Sequence, residues 1–214
     1  AGIRYFDTSP FYGHGKSERH YGHGLAGLPR DELVVSTKVG RVLNAVDSPP
    51  DAGQFANPPP YEPVFDFSRD GILRSLDESL QRLNLDRIDI ALIHDPDQSE
   101  SVKGSTFGEP FHYRQALSEA YPTLADLRSQ GVLRAIGVGM NQWQGLARFA
   151  VEAEFDCFLL AGRYTLLDHS ALSELMPLCE AKRISLIIGG PYNSGILASD
   201  LSAPAPYFYE QSPP

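Results

Sequence analysis

Six short runs of apolar and β-branched residues punctuate the chain: IRYFD (3–7), LVVSTK (33–38), IDIALIH (88–94), LRAIGVG (133–139), FDCFLLA (155–161) and ISLIIGG (184–190). They are nearly continuous rather than alternating, the pattern of parallel strands covered on both faces. Between them, apolar residues fall at helical spacing. One helix begins at Ser17 and runs through His20 to Leu25. The clearest follows Ser68, a candidate N-cap, with Asp70 in its first turn and Ile72, Leu73, Leu76, Leu80 and Leu83 on one stripe. Further helices are predicted over about 116–130, 142–153 and 170–182. Repeated strand–helix units imply right-handed crossovers and a parallel sheet.

A closed (β/α)8 barrel of the TIM type needs eight strands, and six are visible. The opening AGIRYFD reads as a helix end running into a strand, and the closing APAPYFYEQSPP as a loop. The expectation is an α/β barrel cut by about one unit at each end, a single incomplete domain over 1–214 with no internal linker. Two connections, 39–67 and 95–115, exceed simple turns and follow strand C-terminal ends, where barrel sites are built. They are expected to be lids, with Phe55, Tyr61 and Phe111 facing substrate and Phe65, Phe107 and Tyr113 nearby.

Charge and composition narrow the partners. The net charge of −9 argues against nucleic acid. No apolar run approaches the roughly 20 residues that span a bilayer. Cys157 and Cys179 sit in apolar patterns and read as buried free thiols, which with no visible leader points to the cytoplasm. His14, His20 and His23 invite a zinc reading, but no cysteine or acidic ligand completes a set, so a solvated helix face and no metal are expected. The pattern specifies no oligomeric state.

The polar residues at strand C-terminal ends are few: Asp7, with Tyr12 in the following loop, Lys38, His94 and Asn141. Singly, each has a structural reading as a cap, a snorkelling side chain, rim packing or a core histidine. Together they converge on one end of one barrel. They also suit one reaction. Oxidising an alcohol by hydride transfer requires removal of the hydroxyl proton, and a tyrosine can take it if its pKa of about 10 is lowered. A nearby lysine ammonium lowers it, an aspartate holds the lysine, and a histidine orients the substrate oxygen.

YFDTSPFYGHGKSE (5–18), STKVG (36–40) and IHDPD (93–97) resemble the signature regions of the aldo-keto reductases. The resemblance implies a (β/α)8 barrel binding NAD or NADP without a Gly-rich Rossmann turn. It makes Tyr12 the general acid/base, Lys38 its tuner, Asp7 the lysine's anchor and His94 the substrate-orienting group. AIGVGMNQW (135–143), LLAGRYTLLD (159–168) and GGPYNSGIL (189–197) are similar to the family's aldose and pyridoxal dehydrogenases. That implies hydride transfer from C1 of an aldose lactol or of pyridoxal, giving a lactone, with a small sugar or pyridoxal-like partner. The family's carboxamide-holding Ser-Asn pair survives only as Asn141, its glutamine is replaced by Ala161 and its stacking tyrosine by Gly189. Arg163 and Tyr192 are the candidate substitutes. Two alternatives are a cofactor-binding regulatory subunit of the same fold and a non-functional barrel fragment.

Overall fold

The computed structural model describes residues 2–51, 53, 55–97, 112–200, 205–208 and 210–211. The chain-order strands are β1 (Tyr5–Asp7), β2 (Val34–Val39), β3 (Arg41–Ala45), β4 (Tyr61–Phe65), β5 (Ile90–His94), β6 (Ala135–Met140), β7 (Cys157–Ala161) and β8 (Ser185–Gly189). Six of them form one curled parallel sheet in the order β1-β2-β5-β6-β7-β8. All six runs read from the sequence as strands are in it. The sheet is buried on two faces, which is why those runs look continuous. Val35, Val39, Ala91, Ile93, Ile136, Val138, Phe158 and Leu160 pack under the helices with Ile72, Leu124, Leu146 and Phe149. Leu92, Cys157 and Leu159 pack with Ile90 and Ile187 on the opposite, inner face.

The helices are α1 (Lys16–Leu25), α2 (Arg69–Leu83), a single turn α3 (Tyr113–Gln115), α4 (Tyr121–Ser129), α5 (Trp143–Glu152) and α6 (Leu175–Lys182). Ser68 caps α2 as its sequence position predicts: its Oγ accepts from the Gly71 amide at 3.1 Å. Asn84 ends the helix in the left-handed region (φ 52°), its amide turning back to Leu80 and Gln81.

Three details differ from the expectation. The connection 39–67 is not irregular throughout, because β3 and β4 pair antiparallel from Arg41 opposite Phe65 to Ala45 opposite Tyr61. The proline-rich tip between them hid the pairing. The helix expected near 116 starts at Tyr113 and runs through a π-turn over Ala116–Ala120. Pro122, with no amide to give, sits where the ladder changes register. The helix expected over 170–182 splits into a 3-10 turn, Ser170–Leu172, and α6, whose Pro177 lies in a first turn that needs no amide donor. Among the described residues no helix is long and apolar enough to cross a membrane.

Helix α1 lies against α2 through Gly22. A Cβ there would stand 2.5 Å from the Leu83 carbonyl oxygen. Gly22→Ala therefore forces the helices apart although alanine is the better helix former. The expected outcome is a loss of about 1–3 kcal/mol of stability, read from denaturant midpoints of the two proteins.

Candidate active site

The sheet register brings the polar strand ends together. Asp7 pairs with Ser36, Lys38 with Leu92 and His94 with Gly139, so three neighbouring strands deliver their side chains to one end of the sheet. Tyr12 reaches the same place from the loop after β1. That loop is a series of tight turns: Gly13, His14 and Gly15 all have positive φ, and the Gly15 amide donates to Pro10 O at 2.7 Å. A Cβ on Gly15 would meet Arg82 Cδ at 2.8 Å, so glycine is required there. The loop is tied down by Thr8 Oγ1–Ser17 Oγ at 2.8 Å and by Glu18. Glu18 is fully buried and accepts from Thr37 Oγ1 (2.7 Å) and Arg82 Nε (2.6 Å), joining α1 to β2 and α2.

Lys38 is 1% exposed. Its Nζ donates to Asp7 Oδ2 at 2.5 Å and to Thr8 O at 2.9 Å, and lies 4.6 Å from the centre of the Tyr12 ring. Ser36 Oγ donates to Asp7 Oδ1 at 2.6 Å and accepts from Tyr5 Oη at 2.8 Å, which fixes the second carboxylate oxygen. The Tyr12 and His94 rings meet edge to face, 5.7 Å between centres. A Cβ on Gly139 would be 3.5 Å from Lys38 Cε, an ordinary van der Waals contact, so the lysine stem packs alongside this strand position.

Electrostatics follow from burial. Burial pushes the Tyr12 phenol above its usual pKa, and Lys38 opposes this without overcoming it. The expectation of a net lowering is thus corrected: the lysine acts in the expected direction, but desolvation is larger. Burial also works against the Lys38 ammonium, yet Tyr12 and Asp7 more than compensate and its pKa lies above the ordinary lysine value. His94 is held well below its usual pKa by burial, then by Arg41 and Lys38.

Three residues beside Asp7, Tyr12, Lys38 and His94 were not singled out in the sequence. Ser9 Oγ stands 3.1 Å from His94 Nδ1. Arg41 Nη2 donates to Asp95 Oδ2 at 3.0 Å, and that oxygen is 3.3 Å from His94 Nε2. Burial raises the Asp95 carboxyl to about 6 against the pull of Arg41. The available signal was charge immediately after a strand, in STKVGR and IHDPD.

The other candidates are less closely grouped. Asn141 Nδ2 donates to Ala161 O at 3.0 Å, bridging the ends of β6 and β7. Helix α5 takes Gln142, not Asn141, as its N-cap. Arg163 lies over Phe208 at 3.7 Å, and its buried Nε has no hydrogen-bond partner among the described residues. Tyr192 is 62% exposed in the turn after β8. Phe55 meets Phe11 edge to face at 5.3 Å and lies 6.4 Å from the Tyr12 ring. The Tyr61 carbonyl accepts from His14 Nδ1 at 2.7 Å. Phe107 and Phe111 lie outside the described residues. A cavity of about 700 Å³ lined by Phe6, Tyr12, His20, Tyr21 and Phe55 runs along α1, sharing only Tyr12 with the tetrad. Cys157 and Cys179 are buried free thiols, their pKa values raised by burial to about 12 and about 11.

The model of the aldo/keto reductase family matches residues 1–214. The chain belongs to that family. It is 39% identical to a D-threo-aldose 1-dehydrogenase of Pseudomonas sp and 36% identical to a pyridoxal 4-dehydrogenase of Microbacterium luteolum. Each alignment covers 100% of this chain, which spans 63% and 64% of those relatives' lengths. The holo form of an aldo-keto reductase from Bacillus halodurans has the same fold, with a TM-score of 0.70, 24% identity and coverage of 98% of this chain and 60% of that one.

The depressed His94 pKa has a consequence for stability. In the unfolded chain the imidazole takes up a proton below about 6.5, while in the folded protein it does not. The unfolded state then binds more protons, so this residue favours unfolding as pH falls. Wild type should lose more stability than His94→Gln between about pH 7.5 and about pH 5.5, as urea titrations of both proteins at each pH will show. Equal losses would mean that His94 is protonated in the folded state.

Proposed function

We propose that this chain carries the catalytic tetrad of an NAD(P)-dependent dehydrogenase that oxidises C1 of an aldose lactol, or of pyridoxal in its hemiacetal form, to a lactone. The observation that carries the reading is the buried Lys38, held by Asp7 and set against the ring of Tyr12. The similarity to an aldose and a pyridoxal dehydrogenase supports the substrate class. The partner is a small sugar or pyridoxal-like molecule rather than nucleic acid or membrane, and the compartment is the cytoplasm.

The end of the sheet suits a nicotinamide. Arg163 Nε is a buried donor awaiting a partner, and Gly189 and Gly190 at the end of β8 leave that rim free of side chains. Asn141 and Arg163 would hold the carboxamide, with Tyr192 available to stack. NAD or NADP, when bound, supplies the hydride acceptor. The protein's own part is proton handling and orientation. Tyr12 Oη takes the proton of the C1 hydroxyl. Lys38 favours the resulting phenolate, and Asp7, fixed by Ser36, keeps the ammonium in place. His94 orients the substrate oxygen, and Phe55 and Tyr61 border the ring.

Three measurements on the full-length protein test this. Tyr12→Phe removes the proton carrier and keeps the ring; turnover with L-fucose or pyridoxal should fall about 10²–10⁴-fold while cofactor binding persists. Because the phenol pKa is raised, oxidation should accelerate as pH rises, and Lys38→Met, which strips the largest lowering influence on Tyr12, should move that alkaline limb higher still. An unchanged limb with chemistry rate-limiting removes Lys38 from its role. Asn141→Ala should weaken cofactor binding by about 1–3 kcal/mol, read by titration. A lower melting temperature with unchanged cofactor affinity would make Asn141 structural.

A further inference from the structure

One step down the strands from Asp7 and Lys38, the sheet carries hydroxyls instead of hydrocarbon. Tyr5 and Asp7 are two apart on β1, Ser36 and Lys38 are two apart on β2, and Asp7 is the register partner of Ser36. Residues two apart on a strand share a face, so these four lie on one side of the sheet. Tyr5 Oη stands 2.8 Å from Ser36 Oγ, which stands 2.6 Å from Asp7 Oδ1. A carboxylate paired with an ammonium only accepts, so the single Ser36 proton goes to Asp7. The Tyr5 proton then goes to Ser36. Donation therefore runs in one direction, from Tyr5 through Ser36 to Asp7.

This chain decides how far the Asp7 carboxylate can turn. Held only through Oδ2 by Lys38 Nζ, it would be free to rotate and to carry the ammonium away from the Tyr12 ring. With Oδ1 held by Ser36, both oxygens are fixed, and Lys38 Nζ stays 4.6 Å from the ring centre. Ser36 is fully buried, so Tyr5 rather than solvent supplies the donor to its oxygen. Hydrogen bonds in series polarise one another, so the Tyr5 hydroxyl strengthens the Ser36–Asp7 bond from one residue away. Burial pushes the Tyr5 phenol up to about 12, so it remains a donor through ordinary alkaline pH.

Building on the dehydrogenase reading above, we infer that Tyr5 is a positioning residue of the reaction, which through Ser36 locks the Asp7 carboxylate and with it the Lys38 ammonium beside Tyr12. The rival reading is that Tyr5 only fills space on the sheet and its hydroxyl has found a nearby partner. The two readings part on the pH profile. Facing Tyr12 are Asp7 from β1, Lys38 from β2, Arg41 from β3, and His94 and Asp95 at the end of β5. Tyr5 is not among them, so its hydroxyl reaches Tyr12 only through Asp7 and Lys38. Donors to Asp7 draw off part of its negative charge. Without them the carboxylate pulls Lys38 harder and turns more negative charge toward Tyr12, and both changes disfavour the phenolate.

The test follows oxidation of L-fucose and of pyridoxal against pH on the full-length protein, with chemistry rate-limiting. Wild type is measured beside Tyr5→Phe, Ser36→Ala and Ser36→Thr. The alkaline limb should move up by about 0.5 pH unit in Tyr5→Phe and about 1 unit in Ser36→Ala, so rates below the limb fall about threefold and about tenfold. Ser36→Thr, which keeps the hydroxyl, should stay nearest to wild type. A folded Tyr5→Phe with the wild-type limb, or with a rate lowered equally at every pH, makes Tyr5 a packing residue and spares the dehydrogenase reading. Because Tyr5 acts only through Ser36, Ser36→Ala decides the matter if Tyr5→Phe does not fold, and an unmoved limb there overturns the inference. Wild type that oxidises neither compound with either cofactor overturns both readings.

Discussion

A lysine ammonium with almost no solvent contact governs the end of this sheet. Moving such a charge out of water costs several kcal/mol even after relaxation, and the cost is recovered only through well-placed partners. Lys38 has three donors to satisfy. Asp7 Oδ2 and the Thr8 carbonyl take two, which requires β1 and β2 to pair in the observed register and the chain to turn directly after Asp7. The third direction is left for Tyr12. The loop turns at Gly13, His14 and Gly15 that carry Tyr12 into range, and the Glu18 anchor that holds them, serve that requirement.

Two more buried ion pairs surround the first: Arg82–Glu18 under the loop and Arg41–Asp95 beside His94. Pairs of this kind contribute little net stability, but breaking one leaves an uncompensated charge, so they penalise alternative arrangements. Their placement matches that logic. Arg82–Glu18 fixes where α1 and α2 meet the Tyr12 loop, and Arg41–Asp95 fixes where the β3–β4 hairpin meets the end of β5.

The strands were legible because burial on both faces writes itself as continuous apolar runs, and Ser68 was legible because a cap is local. The convergence of Asp7, Lys38 and His94 was legible because each ends or nearly ends such a run, so strand position alone places them at one level. Arg41 and Asp95 sit one to three residues beyond tetrad members and still escaped notice. Their significance lies in a contact between the start of β3 and the residue after β5, 54 residues apart in sequence, and the charge that follows each strand does not say which partner it meets. The β3–β4 hairpin escaped for a related reason. Its strands are separated by a long proline-rich tip, so no short turn signal links them.

The direction of the Tyr12 shift was also beyond the sequence, because it depends on which of two opposed effects of burial is larger. Burial raises the phenol pKa by stripping water from the phenolate. The same low-dielectric surroundings strengthen the attraction between that phenolate and Lys38. In this protein the first effect wins for Tyr12, while for Lys38 the attraction wins and the ammonium is kept. A neutral phenol beside a firmly charged lysine is a proton donor at rest. On the proposed reading it becomes a proton acceptor as higher pH favours the phenolate, so the balance between burial and Lys38 sets where in pH Tyr12 can take a proton.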